Sequence, residues 1–283
     1  MDILDIVNPY KAPVYYMETV TSTMDISREL AERGEPSGTV ITADFQESGR
    51  GRIRNRSWEM ESGKNLAFTI MLRYPPPLRL PSALTLRTGL AVCLAIEDFM
   101  PLLKGRVFIK WPNDILISET ALSNCSHSVG ITAKKTTGIT VKENKSKKVK
   151  KTAGILAESD GTTVHIGIGV NITQREFPAH LANKATSLSL GVSNEIAAER
   201  RFDLLQKIIC HLYDELESST PWHSKLEERL YKKGERVTFI EGQADSGKQI
   251  EALLTGIGPD GELLLTPDGT TTALPFFSGE LQL

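Results

Sequence analysis

The apolar residues of this chain come in two textures, and the boundary between them, near Lys233-Gly234, restricts the fold more than any other feature. Ahead of the boundary, short β-branched runs alternate with stretches of helical period. Residues 14–17, 39–43, 66–72, 107–109, 115–117, 154–156 and 164–168 read as strands. Thr21-Ser22-Thr23 offers N-cap hydroxyls to a helix that carries Ile26 and Leu30 on one face and ends at Gly34. A second helix is expected over 81–100, with proline at its start and stop. A long amphipathic helix over about 195–217 would bury Leu204, Leu205, Ile208, Ile209 and Leu212, and a short one covers 222–230. Behind the boundary, runs at 236–240, 250–254, 262–265 and 271–274 are separated by turn signals such as Pro259-Asp260-Gly261 and Pro267-Asp268-Gly269. That spacing describes a small β-barrel. The reading is one α/β or α+β domain over residues 1–232 and a compact all-β domain over 233–283. A lysine-rich stretch at about 119–150 has no apolar period and is expected to be a flexible surface insertion.

Composition narrows the function classes. With 33 basic and 35 acidic residues the formal charge is −2, which argues against a nucleic-acid binder acting by bulk attraction. Hydrophobic residues at 40% and charged residues at 24% describe an ordinary globular chain. No apolar run approaches the roughly 20 residues of a bilayer span, so no membrane association is expected. Met1-Asp2-Ile3-Leu4-Asp5 is acidic and unlike a leader, and Cys93, Cys125 and Cys210 are widely spaced and odd in number. Both features point to a reduced, cytoplasmic compartment.

Three segments carry chemistry. The run from Gln46 to Trp58 holds Arg50, Arg52, Arg54 and Arg56, with Gly49 and Gly51 between the first pair, just after a strand. Glycines let a ligand approach backbone N–H groups, and guanidinium forks match phosphate or carboxylate oxygens. Its bland alternative is a solvated charge run, which the alternation with glycine and the nearby tryptophan make less apt. Lys110-Trp111-Pro112-Asn113-Asp114 is a turn between two apolar strands, with a cation, an amide and a carboxylate suited to a nucleotide and a divalent metal. A plain turn is its alternative. Lys151-Thr152-Ala153-Gly154-Ile155-Leu156 places a lysine directly before a buried strand, followed by Gly167-Ile168-Gly169-Val170-Asn171.

Other patterns are weaker. Neither glycine run is a dinucleotide fingerprint, because Arg54 and Ile172 stand where the third glycine belongs. Gly242 to Lys248 matches a phosphate loop until Gln249, and the segment behind it is too short for the required helix, so a hairpin turn is expected. Cys125-Ser126-His127 lacks the second ligand pair of a zinc site.

In this order, the segments resemble biotin protein ligases: Thr21-Ser22-Thr23, Gln46 followed by Gly49-Arg50-Gly51-Arg52 and a tryptophan, Lys110-Trp111-Pro112-Asn113-Asp114, Lys151-x-Ala153-Gly154, and Gly167-x-Gly169-x-Asn171. The resemblance implies a mixed-sheet catalytic domain of the biotin/lipoate ligase type with an SH3-like C-terminal barrel. It implies that Ser22, Thr23 and Gln46 hold the ureido ring of biotin, with Met24 beside them where many family members carry asparagine. Arg50, Gly51 and Arg52 would order over the carboxylate and phosphates, Gly154 would belong to the biotin site, and Lys151 would bridge carboxylate and α-phosphate, with Lys151, Arg50 and Arg52 as the catalytic residues. Trp58 and Asn171 would serve the adenine of ATP. Lys110, Asn113 and Asp114 would serve the ATP–Mg²⁺ end, Asp114 meeting the metal directly or through water. The arginine loop is one residue longer before Trp58 than in the family pattern.

The implied activity is formation of biotinyl-5'-AMP and transfer of biotin to a lysine of biotin-carboxyl-carrier domains of carboxylases, by a monomer or homodimer. The catalytic pattern begins near residue 14, so an enzyme that binds no DNA and lacks repressor function is expected. The alternatives are a lipoate or octanoate ligase of the same fold and a nucleic-acid-binding module.

Overall fold

The computed structural model describes residues 1–53, 57–118, 148–217, 221–243 and 246–282. Most of the expected insertion, and Cys125-Ser126-His127 with it, lies outside the described residues. Val149 and Lys150, assigned to the insertion from sequence, are instead the first two residues of a strand, because they pair with Ser118 and Ile117 across the sheet.

An eight-stranded mixed sheet is built from β1 (Asp2–Ile3), β2 (Val14–Val20), β3 (Val40–Gln46), β4 (Asn65–Arg73), β5 (Val107–Lys110), β6 (Asp114–Ser118), β7 (Val149–Asp160) and β8 (Thr163–Asn171). Its order is β1-β2-β3-β4-β8-β7-β6-β5. The β2–β3 pair is parallel, with α1 (Thr23–Glu32) as the crossover, and its other pairings are antiparallel. The sheet therefore separates two faces. On one, α2 (Leu84–Phe99) and α4 (Arg201–Glu217) cover Leu66, Phe68 and Ile70 of β4 and Ile166, Ile168 and Val170 of β8 in the main core. On the other, α1 buries Leu30 against Ile41 and Met71.

The helix expected from about 195 starts later. Ala197 is extended, a short 3₁₀ turn spans Ala198–Arg200, and α4 begins at Arg201 with the predicted buried face intact. A five-residue helix, α3 (Leu188–Val192), has no counterpart in the sequence reading, and α5 covers Trp222–Glu227.

Behind the boundary, β9 (Arg236–Glu241), β10 (Lys248–Ile257), β11 (Leu263–Pro267), β12 (Leu274–Phe276) and β13 (Gly279–Leu281) form an antiparallel sheet in the order β12-β11-β10-β9-β13. Glu241 pairs with Lys248, so the phosphate-loop look-alike is a hairpin. The last expected strand is shifted to β12, and β13 was too short to register as a pattern. A ladder joining β12 to β13, which would close a barrel by hydrogen bonds, is not among the pairings of the described residues. This sheet leans on the turn between β5 and β6. Trp111 Nε1 donates to Gly261 O at 3.0 Å, and its ring lies 5.9 Å from that of Phe239.

Candidate active site

Glycines bare one strip of the α1 face. Alternation along β8 puts His165, Gly167, Gly169 and Asn171 on that face, and Leu156 and Gly154 of β7 stand opposite Gly167 and Gly169. A Cβ at Gly169 would meet the Trp58 indole at 2.5 Å, and one at Gly167 would meet Met24 Sδ at 3.0 Å. These two glycines admit the side chains that lie on them. That explains Gly-x-Gly here without any phosphate cradle.

Two cavities open over the strip. The narrower, of about 70 Å³, is lined by Ser22, Thr23, Met24 and Gln46 at one end and by Arg50, Gly154 and Gly167 further along. Ser22 caps α1, its Oγ accepting from Met24 N at 3.3 Å. Gln46 Oε1 accepts from both Thr23 N (2.9 Å) and Thr23 Oγ1 (3.1 Å), and Thr23 Oγ1 also meets Thr69 Oγ1 at 2.8 Å. This fixes the carboxamide so that its Nε2 donors remain for a ligand. Met24 is buried and contributes a thioether rather than a polar contact.

The wider cavity, of about 500 Å³, is lined by Lys110, Asn113, Asp114, Asn171 and Glu280. Gly51, Arg52, Trp58, Asn113 and Lys151 line both. Asn171 Nδ2 donates to Thr186 O, while its buried Oδ1 has no partner among the described residues. Trp58 Nε1 is likewise buried and unpartnered. Orphaned buried polar atoms at a cavity wall are where a ligand would complete the hydrogen bonding. Asn113 works structurally as well: its Nδ2 donates to Ile155 O, and its carbonyl accepts from Ile155 N.

A bulge aims Lys151. The β6–β7 ladder pairs Ile115 with Ala153 and Leu116 with Lys151, leaving Thr152 as an extra residue. Regular alternation would place Lys151 on the side of Ala153, which is core. The bulge turns it to the side of Gly154, where its Nζ lies 2.6 Å from Asp114 Oδ1 and 5.8 Å from the Trp58 ring centroid. A Cβ at Gly154 would stand 3.1 Å from that Nζ. Lys150 pairs with the core residue Ile117 and lines neither cavity, whereas Lys151 lines both.

The other cations are held by distant segments. Arg50 Nη2 lies 2.7 Å from Asp25 Oδ1 in the first turn of α1. Arg52 Nη2 donates to Gly279 O at 3.2 Å, and buried Lys110 has its Nζ 3.8 Å from Glu280 Oε1. Sequence reasoning missed Asp25 and Glu280, and also Phe177, His180, Leu181 and Lys184, which wall the wider cavity from an irregular segment without periodic signal.

Residues 16–172, more than half of the chain, match the Biotin/lipoate A/B protein ligase family. The chain is 34% identical over 184 residues to the bifunctional ligase/repressor BirA of Bacillus subtilis, covering 64% of this chain and 47% of that protein. It is 27% identical over 198 residues to the biotin--[acetyl-CoA-carboxylase] ligase of Mycobacterium tuberculosis, covering 68% and 62%. It thus spans about half the length of the Bacillus relative. The structure of the biotin protein ligase from Aquifex aeolicus in complex with biotin and ATP superposes with a TM-score of 0.70 at 25% identity, covering 95% of this chain and 97% of that one. The glycine strip, the bulge-aimed lysine and these matches agree: the chain belongs to the Biotin/lipoate A/B protein ligase family.

Proposed function

We propose that the chain activates biotin with ATP to biotinyl-5'-AMP and passes the biotinyl group to a lysine of biotin-carboxyl-carrier domains of carboxylases. The observation that carries this reading is the position of Lys151, which lines both cavities. The narrow cavity takes the ring of the acid against Ser22, Thr23, Met24 and Gln46. The wide one takes the nucleotide, with Asn171 Oδ1 accepting from the adenine amine and Trp58 packing beside the base. The solved Aquifex relative in complex with biotin and ATP supports the assignment.

Attack of a carboxylate oxygen on an α-phosphate brings two anions together. Lys151 at the junction, with Arg50 and Arg52 on the loop above, reduces that repulsion and stabilises developing charge, an effect typically worth several kcal/mol. The P–O bond to pyrophosphate breaks as the acyl–phosphate bond forms. The neutral amine of an acceptor lysine then attacks the acyl carbon and AMP leaves. No enzyme nucleophile is required.

Among the described residues no group of three metal ligands exists, which suits a cation that binds through one or two carboxylates and substrate phosphates. Asp114 would hold it, being a carboxylate on the wall of the wide cavity. Mg²⁺, when bound, would neutralise phosphate charge. Lys110 and Asn113 lie on the same turn and would serve the polyphosphate.

The same reading divides the chain into a catalytic domain, residues 1–232, and a C-terminal domain of the SH3-like type, residues 233–283. It places the protein in the cytoplasm as a monomer or homodimer; no described helix is long and apolar enough to cross a membrane. It assigns no DNA-binding role, and reads Arg50 and Arg52 as cations that line the narrow cavity. Incubation with ATP, biotin and a carboxyl-carrier domain should yield biotinylated carrier, AMP and pyrophosphate. Exclusive lipoylation or octanoylation of a carrier would reassign the substrate, and tight, salt-sensitive binding of duplex DNA in a mobility-shift assay would refute the last point.

A further inference from the structure

Beyond the two cavities lies a line of polar side chains that the chemistry does not use. His165 of β8 has no exposed surface; its Nδ1 is 2.8 Å from Ser27 Oγ and its Nε2 is 3.0 Å from Asp160 Oδ2. Serine, histidine and aspartate in hydrogen-bonded order suggest a nucleophile, but Ser27 is fully buried in the middle of α1, where no substrate reaches it. The arrangement does something else. With a neutral ring, Nε2–H donates to Asp160 and Nδ1 accepts the Ser27 hydroxyl proton, so both ring nitrogens are satisfied and the bonds have fixed directions. They tie the second turn of α1 to β8 and to the end of β7.

What α1 carries makes this tie consequential. Its first residues, Thr23 and Met24, line the narrow cavity, and Ser22 caps it. Along β8 the contacts run in sequence: Ser27 on His165, Met24 on Gly167 and Trp58 on Gly169. Beneath the helix Leu30, Ile41 and Met71 form a small buried cluster, with Tyr15, Ile26 and Ala31 packed against it. Apolar burial is non-directional and does not by itself fix a helix along its axis. Directional bonds do: those of Thr23 to Gln46 and Thr69 at its start, and in its second turn the Ser27–His165 bond with the Arg28–Glu158 pair one residue further on.

We propose that His165 is a positioning residue for the acid-binding end of the site, acting through Ser27 on the placement of Ser22, Thr23 and Met24. This rests on reading the narrow cavity as the biotin site. It predicts an effect confined to one substrate, because the wide cavity is walled by other segments.

The test uses the full chain in an adenylate-forming assay, with KM measured separately for biotin and for ATP. Ser27→Ala and His165→Leu should each raise KM for biotin by about tenfold and leave KM for ATP within about twofold. The double variant should be no worse than His165→Leu alone, because His165→Leu already removes the Ser27 bond along with the one to Asp160. His165→Asn, which keeps an acceptor and a donor, should recover part of the loss. Ser27→Ala removes a single buried oxygen and keeps the question answerable if His165→Leu fails to fold. Equal changes in both KM values, or a lowered Tm with neither KM changed, would overturn the proposal while leaving the biotin reading intact. A wild-type chain that forms no adenylate from biotin would remove the reading and this assignment with it.

Discussion

The two cavities that meet at Lys151 are made in different ways. The narrow one is walled mainly by regular structure, namely one helix N-terminus, the end of β3, and the glycine strip of β7 and β8, with the arginine loop and Asn113 closing the side it shares with the other. The wide one is assembled from the arginine loop, the β5–β6 turn, an irregular segment around residues 177–185 and the C-terminal strand β13. A site on helices and strands is fixed when the sheet forms. A site made of segments far apart in sequence depends on each tie among them, such as Lys110 to Glu280 and Arg52 to Gly279 O. The acid end should therefore respond to changes in packing, and the nucleotide end to changes in charge.

The largest effect should come where the two ends join. Lys151→Met keeps the length of the side chain without its charge, and adenylate formation should fall by two to three orders of magnitude, on the order of a lost oxyanion-type contact. Near-normal turnover in a stopped assay for pyrophosphate would break the account of the junction. Next come the two glycines. Gly167→Ala presses on Met24 alone and should raise KM for biotin by about tenfold, whereas Gly169→Ala displaces Trp58, which lines both cavities, and should raise both KM values. Identical kinetic profiles for the two variants would erase the distinction between the ends.

Glu280→Gln tests the nucleotide end by charge. It should raise KM for ATP a few-fold, on the order of 1 kcal/mol for a partly buried pair, with KM for biotin unchanged. A biotin effect of equal size would show that the C-terminal sheet acts on the whole fold instead. The smallest change should follow replacement of residues 120–146 by a short linker. Ser118 and Val149 are ladder partners, so their ends are already adjacent, and adenylate formation should stay within about twofold of the parent.

Much of this was legible because the signals are local. The alternation Gly167-x-Gly169-x-Asn171 reports one face of one strand, and the Ser22 cap with its helix follows from three hydroxyl residues before an apolar period. The buried face of α4 was likewise readable from Leu204 to Leu212, although its start was not, since an extended Ala197 interrupts a composition that looks helical. The bulge at Thr152 left no mark in the sequence; spacing to Ala153-Gly154 favours Lys151, but the reason it and not Lys150 faces the cavities arises from pairing with β6. Asp25 and Glu280 were hidden for a similar reason. Each looks like an ordinary surface acid until the fold brings it to Arg50 or Lys110. Three-residue β13 is too short to show a period, yet it brings Gly279 and Glu280 to the cavity.

The most direct test of the central claim, that the two cavities form one site for joining an acid to a nucleotide, omits the acceptor. The wild-type chain is incubated with ATP, Mg²⁺ and either biotin, lipoate or octanoate, and the products are identified by mass spectrometry. The account predicts biotinyl-5'-AMP and pyrophosphate in equal amounts, with little adenylate from the other two acids. A lipoyl or octanoyl adenylate without the biotinyl one, or ATP hydrolysis that needs no acid, would contradict it.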